Sequence, residues 1–121
     1  MITGVITANR EAIVRLRVRG SQEIEVDAVL DTGFTEYLSL PPSLIATLGL
    51  PYVTLDRVML ADGSIIQSRV YEAAVLWDGR ARLVSVHTAQ GAPLIGVSLL
   101  YDHLLTVEVF DGGAVTIEPL P

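Results

Sequence analysis

Apolar and polar residues alternate with a period of two through most of this chain, and this pattern constrains the fold more than any other feature. Successive side chains of a β-strand point to opposite faces, so the period indicates strands that bury one face. Within residues 13–19, Leu16 and Val18 fall on one face and three arginines on the other. The segment Ile24–Ala28 alternates again and runs on to Leu30. The pattern predicts a mainly β protein.

Three Asp-Gly dipeptides separate the later predicted strands. A type I′ turn requires positive φ at both central residues, which Asp and Gly tolerate better than most residues, so each dipeptide predicts a hairpin. Asp62-Gly63 joins Thr54–Leu60 to Ile65–Trp77, Asp78-Gly79 leads into Ala81–Thr88, and Asp111-Gly112-Gly113 joins Leu105–Phe110 to Ala114–Glu118. Many short strands with turn signals between them are typical of a barrel or a sandwich.

Two short helices are predicted between the strands. The segment Pro41–Gly49 has prolines at its start and a glycine just past its end, the usual asymmetry of a helix. Ser98–Leu104 is a second candidate, with Ser98 as its N-cap. The predicted architecture is therefore mainly β with one or two short helices.

Composition limits the functions that this chain can have. Its 121 residues suit a single domain spanning 1–121, and half of them are apolar, a weak indication of self-association. A net charge of −6 argues against nucleic acid and against an anionic membrane surface as partners. The absence of cysteine excludes disulfides and thiolate chemistry. No basic, then apolar, leader is visible at the N-terminus, so we expect a cytoplasmic protein.

Two stretches without charged residues, Tyr37–Leu55 and Leu83–Tyr101, are long enough to be considered as membrane spans. Each contains proline and glycine at positions that would interrupt a membrane helix. We interpret both as core segments and expect no membrane partner.

The triplet Asp31-Thr32-Gly33 lies between two apolar runs, Ala28–Leu30 and Phe34–Leu40. A carboxylate in apolar surroundings requires a reason, because the ionised form is costly to desolvate. The plain interpretation is a turn, since Asp and Gly are ordinary turn residues. The triplet alone does not decide between a turn and a catalytic site.

The surroundings of the triplet resemble the retropepsin-like aspartic proteases. Residues 26–34, Val-Asp-Ala-Val-Leu-Asp-Thr-Gly-Phe, resemble the active-site strand and loop of that family. The Ala61-Asp62-Gly63-Ser64 hairpin stands where the family has its flap, and Pro93-Leu94-Ile95-Gly96 resembles the two hydrophobic residues and glycine that pack beside the active-site loop. The three features occur in the family's order over about Ile13 to Glu118. The resemblance implies a retropepsin-like acid-protease barrel.

The resemblance also implies a function and a site. Asp31 would be the catalytic carboxylate, Thr32 would brace the loop against the partner chain, and Gly33 would let the substrate backbone approach. Because the chain has one such triplet, the second carboxylate would come from a second copy in a homodimer. Two carboxylates sharing one proton can activate water and polarise the amide, with no cofactor and no metal. The expected substrate is a peptide or protein, held under Ala61, Asp62, Gly63 and Ser64 and beside Phe34, with Leu94, Ile95 and Gly96 supporting the loop.

Three positions depart from the viral pattern, and they keep alternatives open. Phe34 stands where viral enzymes usually have Ala or Ser, and we expect it to narrow the cleft. Thr35 and Val97 replace an acidic residue and an arginine whose pairing helps to join loops in viral dimers. The chain therefore resembles a cellular, prokaryotic relative more than a viral enzyme. A non-catalytic peptide-binding or scaffolding dimer of the same fold is one alternative, and an unrelated barrel in which Asp31 is only a turn residue is another.

The remaining polar residues have plainer interpretations. His87 and His103 lie far apart in sequence without a carboxylate at metal-ligand spacing, so we interpret both as ordinary polar or core positions. Trp77 is expected to be a packing residue. Arg15, Arg17 and Arg19 form a solvated strand face, or else a surface for an acidic partner, and Asp27 is expected to be exposed.

Overall fold

The computed structural model describes residues 1–59 and 62–121. These residues form ten strands and two helices. In chain order the strands are β1 (Ile2–Ile6), β2 (Ala12–Arg19), β3 (Glu23–Leu30), β4 (Leu38–Leu40), β5 (Tyr52–Met59), β6 (Ile65–Trp77), β7 (Arg80–Thr88), β8 (Leu94–Ile95), β9 (His103–Val107) and β10 (Ala114–Pro119), and the helices are α1 (Pro42–Leu48) and α2 (Val97–Leu100).

Six strands close into a barrel. Neighbours around it run β6, β7, β4, β8, β3 and β2, and antiparallel pairing of β2 with β6 completes the ring. Two of the pairings, β3 with β8 and β4 with β7, are parallel. Closure satisfies the backbone donors and acceptors that an open sheet would leave at its edges. The predicted mainly β barrel with one or two short helices is confirmed.

Strand β6 is long enough to belong to two structures. Its C-terminal part, residues 70–77, pairs with β7 inside the barrel, whereas its N-terminal part, residues 65–71, pairs with β5. Most residues of β5 are exposed, so β5 and the start of β6 form a hairpin that extends from the barrel wall. Asp62 and Gly63 lie at its tip, and Gly63 has φ +86°. The predicted strand end at Leu60 and the predicted flap residue Ala61 lie outside the described residues.

The chain termini add a second extension to the barrel. Strand β1 pairs with both β2 and β10, and β9 pairs with β10, so β9 is the last strand on this side of the sheet. Strand β1 was not predicted, because Gly4 interrupts its short pattern. A Cβ on Gly4 would lie 2.2 Å from the carbonyl oxygen of Ile13, so this glycine permits the close approach of β1 and β2.

The Asp78-Gly79 turn is as predicted, whereas the last predicted hairpin differs in the bounds of its first strand. Asp78 and Gly79 have φ +52° and +82°, as a type I′ turn requires. Strand β9 was predicted at 105–110 but covers His103–Val107. The Phe110 N–H donates to the carbonyl of Glu108 and the Gly113 N–H to that of Phe110, so residues 108–113 form a loop instead of continuing the strand.

The first helix is as predicted and the second is shorter. Helix α1 ends at Gly49, which has φ +64°. Helix α2 begins after Gly96, not after Ser98, and ends at Leu100, because Tyr101 returns to extended backbone. Ser98 does not cap the helix, since its hydroxyl donates to the carbonyl of Thr35 at 2.6 Å. Neither helix in the described part of the chain is long and apolar enough to cross a membrane.

The outer face of β2 and β3 carries a ladder of charges. Arg15, Arg17 and Arg19 oppose acidic residues of β3, with nitrogen–oxygen distances of 2.9 Å from Arg15 to Asp27 and 3.0 Å from Arg19 to Glu23. Hydrogen bonds from Arg19 and Arg17 lower the pKa of Glu23, and the hydrogen bond from Arg15 lowers that of Asp27. The arginines are therefore a solvated face with partners in the same chain, and exposed Asp27 is as expected.

The core fills the barrel and the space beneath α1. It is built from the inward residues of β2, β3, β4, β6 and β7 together with Ile45 and Leu48 of the helix. Trp77 is 3% exposed, as expected for a packing residue, and its indole N–H donates to Nε2 of His103 at 3.1 Å.

Leu38 of β4 should be a principal stabilising residue, because its side chain is fully buried between β7 and β8. We expect Leu38→Ala to lower the free energy of unfolding by about 2–5 kcal/mol, through lost burial and the cavity left behind. The control is Leu83→Ala on β7, where the side chain is 73% exposed and the change should stay within about 0.5 kcal/mol. Equal losses for the two variants in urea denaturation would contradict the packing described.

Candidate active site

Asp31 lies immediately after β3, where parallel pairing with β8 fixes its backbone. Its N–H donates to the carbonyl of Ile95 at 2.9 Å, continuing the β3–β8 register by one residue. Its carboxylate accepts the Gly33 N–H at 2.9 Å, and its carbonyl accepts the Phe34 N–H at 3.1 Å. These bonds form a compact turn in which the Asp31 side chain is half-buried and Thr32 is exposed. The apolar runs on either side therefore leave this carboxylate partly open.

The segment after β8 lies directly against this turn. The Val97 N–H donates to the carbonyl of Phe34 at 2.9 Å, and the Gly96 N–H to that of Tyr37 at 3.0 Å. A Cβ on Gly96 would lie 1.9 Å from the carbonyl oxygen of Glu36 and 2.7 Å from that of Phe34. Only glycine fits here without displacing backbone, so Gly96 allows two loops to meet.

Hydrogen bonds to the backbone join the loop after β3 to the segment after β8. They involve Thr35 and Val97, the two positions that lack the acidic residue and the arginine of the viral pattern. The Thr35 carbonyl accepts the hydroxyl of Ser98, and the Ser98 N–H donates to the carbonyl of Glu36 at 3.3 Å. Val97 adds its backbone N–H, which donates to the carbonyl of Phe34. The loops are thus held together within one chain by contacts that do not depend on side-chain charge.

A cleft of about 420 Å³ opens beside the turn. One wall is the loop from Gly33 to Glu36, and another is the inner face of the β5–β6 hairpin, including Val58 and Ile66. The floor contains Ser39 of β4 and the end of β7. Phe34 lines the cleft, and its narrowing of this space stays a prediction. The cleft therefore lies between the β5–β6 hairpin and the loop that follows Asp31.

A polar cluster inside the cleft was missed by the sequence interpretation. The Nε2 atom of buried His87 lies 3.2 Å from Oδ2 of Asp56, and Glu36 lies near both. The hydrogen bond from His87, with a second from the Arg57 N–H, lowers the pKa of Asp56. Residues 36, 56 and 87 are too far apart in sequence for any spacing rule to group them. Only His87 lies near the end of a strand, so no local pattern marked the three residues as a group.

Two buried polar atoms beside this cluster lack hydrogen-bond partners among the described residues. They are Nδ1 of His87 and the hydroxyl oxygen of Ser39. Ser39 and His87 are register partners in the parallel pairing of β4 with β7, so their side chains are neighbours on one face. Unpartnered buried polar groups are uncommon in proteins and often mark functional positions.

The predicted site residues fall into three places. Asp31, Thr32 and Gly33 form the turn after β3, and Phe34 continues from it into the cleft. Leu94 lines the cleft, Ile95 is fully buried, and Gly96 contacts the turn. Asp62, Gly63 and Ser64 lie at the hairpin tip, where Oδ1 of Asp62 accepts both the N–H and the hydroxyl of Ser64.

Comparison with known proteins identifies the fold. A retropepsin-like aspartic protease from Rickettsia conorii, known from its crystal structure, superposes with a TM-score of 0.65 over 97% of this chain and 89% of that one, at 14% sequence identity. No family model matches this chain, and no curated protein matches it by sequence. The fold is therefore retropepsin-like, as the order of the sequence motifs predicted.

Gly96 should be needed for the shape of the site. We expect Gly96→Ala to lower the free energy of unfolding by about 1–3 kcal/mol, the usual cost of overpacking, because the new Cβ meets two carbonyl oxygens. The control is Gly33→Ala in the neighbouring turn, whose Cβ would meet only the Asp31 side chain, at 3.2 Å. Urea denaturation of both variants checks this, and a Gly96 variant as stable as the Gly33 variant would contradict it.

Proposed function

We propose that this chain is one half of a homodimeric aspartic endopeptidase, with Asp31 of each copy supplying one carboxylate. The observation that carries the proposal is the Asp31-Thr32-Gly33 turn, held at the end of β3 by β8 and Gly96, beside a cleft covered by a hairpin, in a retropepsin-like barrel.

Catalysis of this kind requires two carboxylates and one shared proton. The ionised carboxylate removes a proton from a water molecule, and the protonated one donates to the carbonyl oxygen of the peptide bond. One chain contains one such turn, so two-fold symmetry would bring a second Asp31 beside the first. Thr32 is exposed and able to reach a partner chain, and the Gly33 N–H orients the Asp31 carboxylate.

The substrate would be an extended peptide between the hairpin and the floor. Strand β5 lies at one end of the sheet order and, among the described residues, pairs with β6 alone, so its outer backbone groups are available to a further strand. Positive φ at Gly63 suits a narrow hairpin tip that opens and closes over the cleft. Asp62, Gly63, Ser64 and the undescribed Ala61 would form that tip.

Exposed apolar side chains support assembly with a second copy. In the loop between β9 and β10, Val109 is 80% exposed and Phe110 62% exposed. The edge of β9 offers unpaired backbone groups on the same side of the sheet. The proposed interface includes the Asp31 turn, the hairpin tip and the terminal strands. The reaction needs no cofactor, and a cytoplasmic location remains our expectation from the sequence.

A second candidate function is a peptide-binding dimer without catalysis. Phe34 favours it, because its ring occupies part of the cleft beside Asp31 and contacts the ring of His87 edge-to-face at 6.4 Å. Such a protein would bind peptides in the same cleft, and its two Asp31 carboxylates would take no part in a reaction.

Replacing Asp31 distinguishes the two functions. We expect Asp31→Asn to abolish cleavage of a diverse peptide library between about pH 4 and 7, because the amide can neither take up nor share the proton. Wild-type activity should fall as pH rises, since the shared proton is lost. The control is Asp27→Asn on the outer face of β3, which should cleave like wild type. Equal cleavage by the Asp31 variant would refute the catalytic role, and equal peptide binding without cleavage by either protein would favour the binding dimer.

Assembly is a separate prediction. Sedimentation at roughly tens of micromolar, where even a weak dimer forms, should give a dimer for wild type and for Asp31→Asn. The Asn variant should be at least as dimeric at neutral pH, because two ionised carboxylates no longer repel each other across the axis. A monomer at this concentration, or a dimer with the two Asp31 side chains far apart, would count against the proposal.

A further inference from the structure

We propose that Glu36, Asp56 and His87 form a binding site for a divalent transition-metal ion, with Zn²⁺ as its representative ligand. The ligand atoms of the three side chains lie within 4.8 Å of one another inside the cleft. Two carboxylates and one imidazole are a donor set that first-row divalent ions accept. This site goes beyond the proposed proteolysis and does not depend on it.

The closest pair of donors already has the spacing of two ligands of one ion. Nε2 of His87 and Oδ2 of Asp56 are 3.2 Å apart. In a tetrahedral zinc site with bonds of about 2.0–2.2 Å, two ligand atoms lie about 3.3–3.5 Å apart. The Arg57 N–H donates to the other Asp56 oxygen at 2.8 Å, which holds this carboxylate in place. A carboxylate oxygen of Glu36 lies within 4.8 Å of a ligand atom of each of the other two residues and would be the third protein ligand.

The alternation of side chains along β5 places Asp56 on the face of the strand that borders the cleft. Asp56 pairs in register with Ser68 of β6, which is buried, so Asp56 faces the cleft. The next residue, Arg57, also lines the cleft, and its backbone N–H donates to the Asp56 carboxylate.

The imidazole of His87 would be oriented by the Ser39 hydroxyl, which, like Nδ1 of His87, has no partner among the described residues. A metal on Nε2 takes that nitrogen's lone pair, so the ring proton must be on Nδ1. Metal-binding histidines almost always donate this second N–H to a neighbouring acceptor. Residue Ser39 is 2% exposed, lines the same cleft and lies at the register-paired position, and its hydroxyl oxygen has no partner among the described residues. The two atoms are not hydrogen-bonded to each other in the structure, and we assign Ser39 as the acceptor for Nδ1 in the metal-bound form.

The site would connect three separate elements. Glu36 belongs to the loop after Asp31, Asp56 to the hairpin strand β5, and His87 to β7 of the barrel. An ion bound by all three would tie the hairpin to the floor of the cleft. Bound metal should therefore slow amide hydrogen exchange in β5, a readout that requires no enzymatic activity.

The test is calorimetric titration of the Asp31→Asn protein with Zn²⁺. This background removes any binding by paired Asp31 carboxylates, so failure of the proteolytic proposal would not affect the result. We expect one Zn²⁺ per chain, slower exchange in β5, and much weaker binding of Mg²⁺, which prefers oxygen ligands. Asp56→Asn and His87→Asn should each weaken binding by more than the roughly 10- to 100-fold expected for Ser39→Ala, the outer-shell variant.

Matched controls keep the test decisive even if the buried His87 variant fails to fold. Glu118→Gln and His103→Asn, which alter a carboxylate and a histidine outside the cleft, should bind Zn²⁺ like the parent. Asp56 is exposed, so its variant should fold and carries the test alone if necessary. The proposal would be overturned if the protein did not bind Zn²⁺, or if Asp56→Asn bound Zn²⁺ as tightly as the parent. It would also be overturned if the protein bound a lysine-containing peptide but did not bind Zn²⁺. The last result would assign the cluster to a basic substrate side chain.

Discussion

Closure of the sheet by pairing β2 with β6 is the constraint on which the rest of this structure depends. Backbone groups buried in a sheet must find partners, and the ring of six strands provides them without an open edge. Because β6 is 13 residues long and the barrel uses only its second half, the first half must project. That projection, paired with β5, forms one wall of the cleft. The hairpin therefore follows from the geometry of the barrel and stands on a strand that the core holds rigid.

The position of Asp31 depends on a second constraint, the parallel pairing of β3 with β8. A two-residue strand has little stability by itself, so the surrounding contacts must hold it. Gly96 permits those contacts, because the turn after β3 and the segment after β8 meet where a side chain has no space. Ser98 and the backbone N–H of Val97 then join the loops. An ion pair at this place would depend on pH and salt, whereas hydrogen bonds to the backbone depend on neither to the same degree.

The fold brings two sets of polar groups close together, one in the turn after β3 and one inside the cleft. In the proposed dimer the turn containing Asp31 would offer a carboxylate to a partner copy, and the cluster of Glu36, Asp56 and His87 offers a second set of polar groups beside that turn. The two share the loop from Gly33 to Glu36, so a ligand at one would affect access to the other. If both proposals hold, a metal ion that ties the hairpin to the floor would compete with a peptide for the same space.

Local patterns in the sequence determined the strands, the Asp-Gly hairpins and helix α1, because alternation, turn chemistry and capping act over a few residues. The order of the motifs also determined the retropepsin-like fold. Tertiary structure alone decided the rest. Strand β1 exists because β2 and β10 pair with it, and Ser98 leaves the cap of α2 because a distant carbonyl, that of Thr35, accepts its hydroxyl. Glu36, Asp56 and His87 meet only when the barrel closes and the hairpin lies over it. Such contacts between residues far apart in the chain leave no local pattern, which is why the sequence did not indicate them.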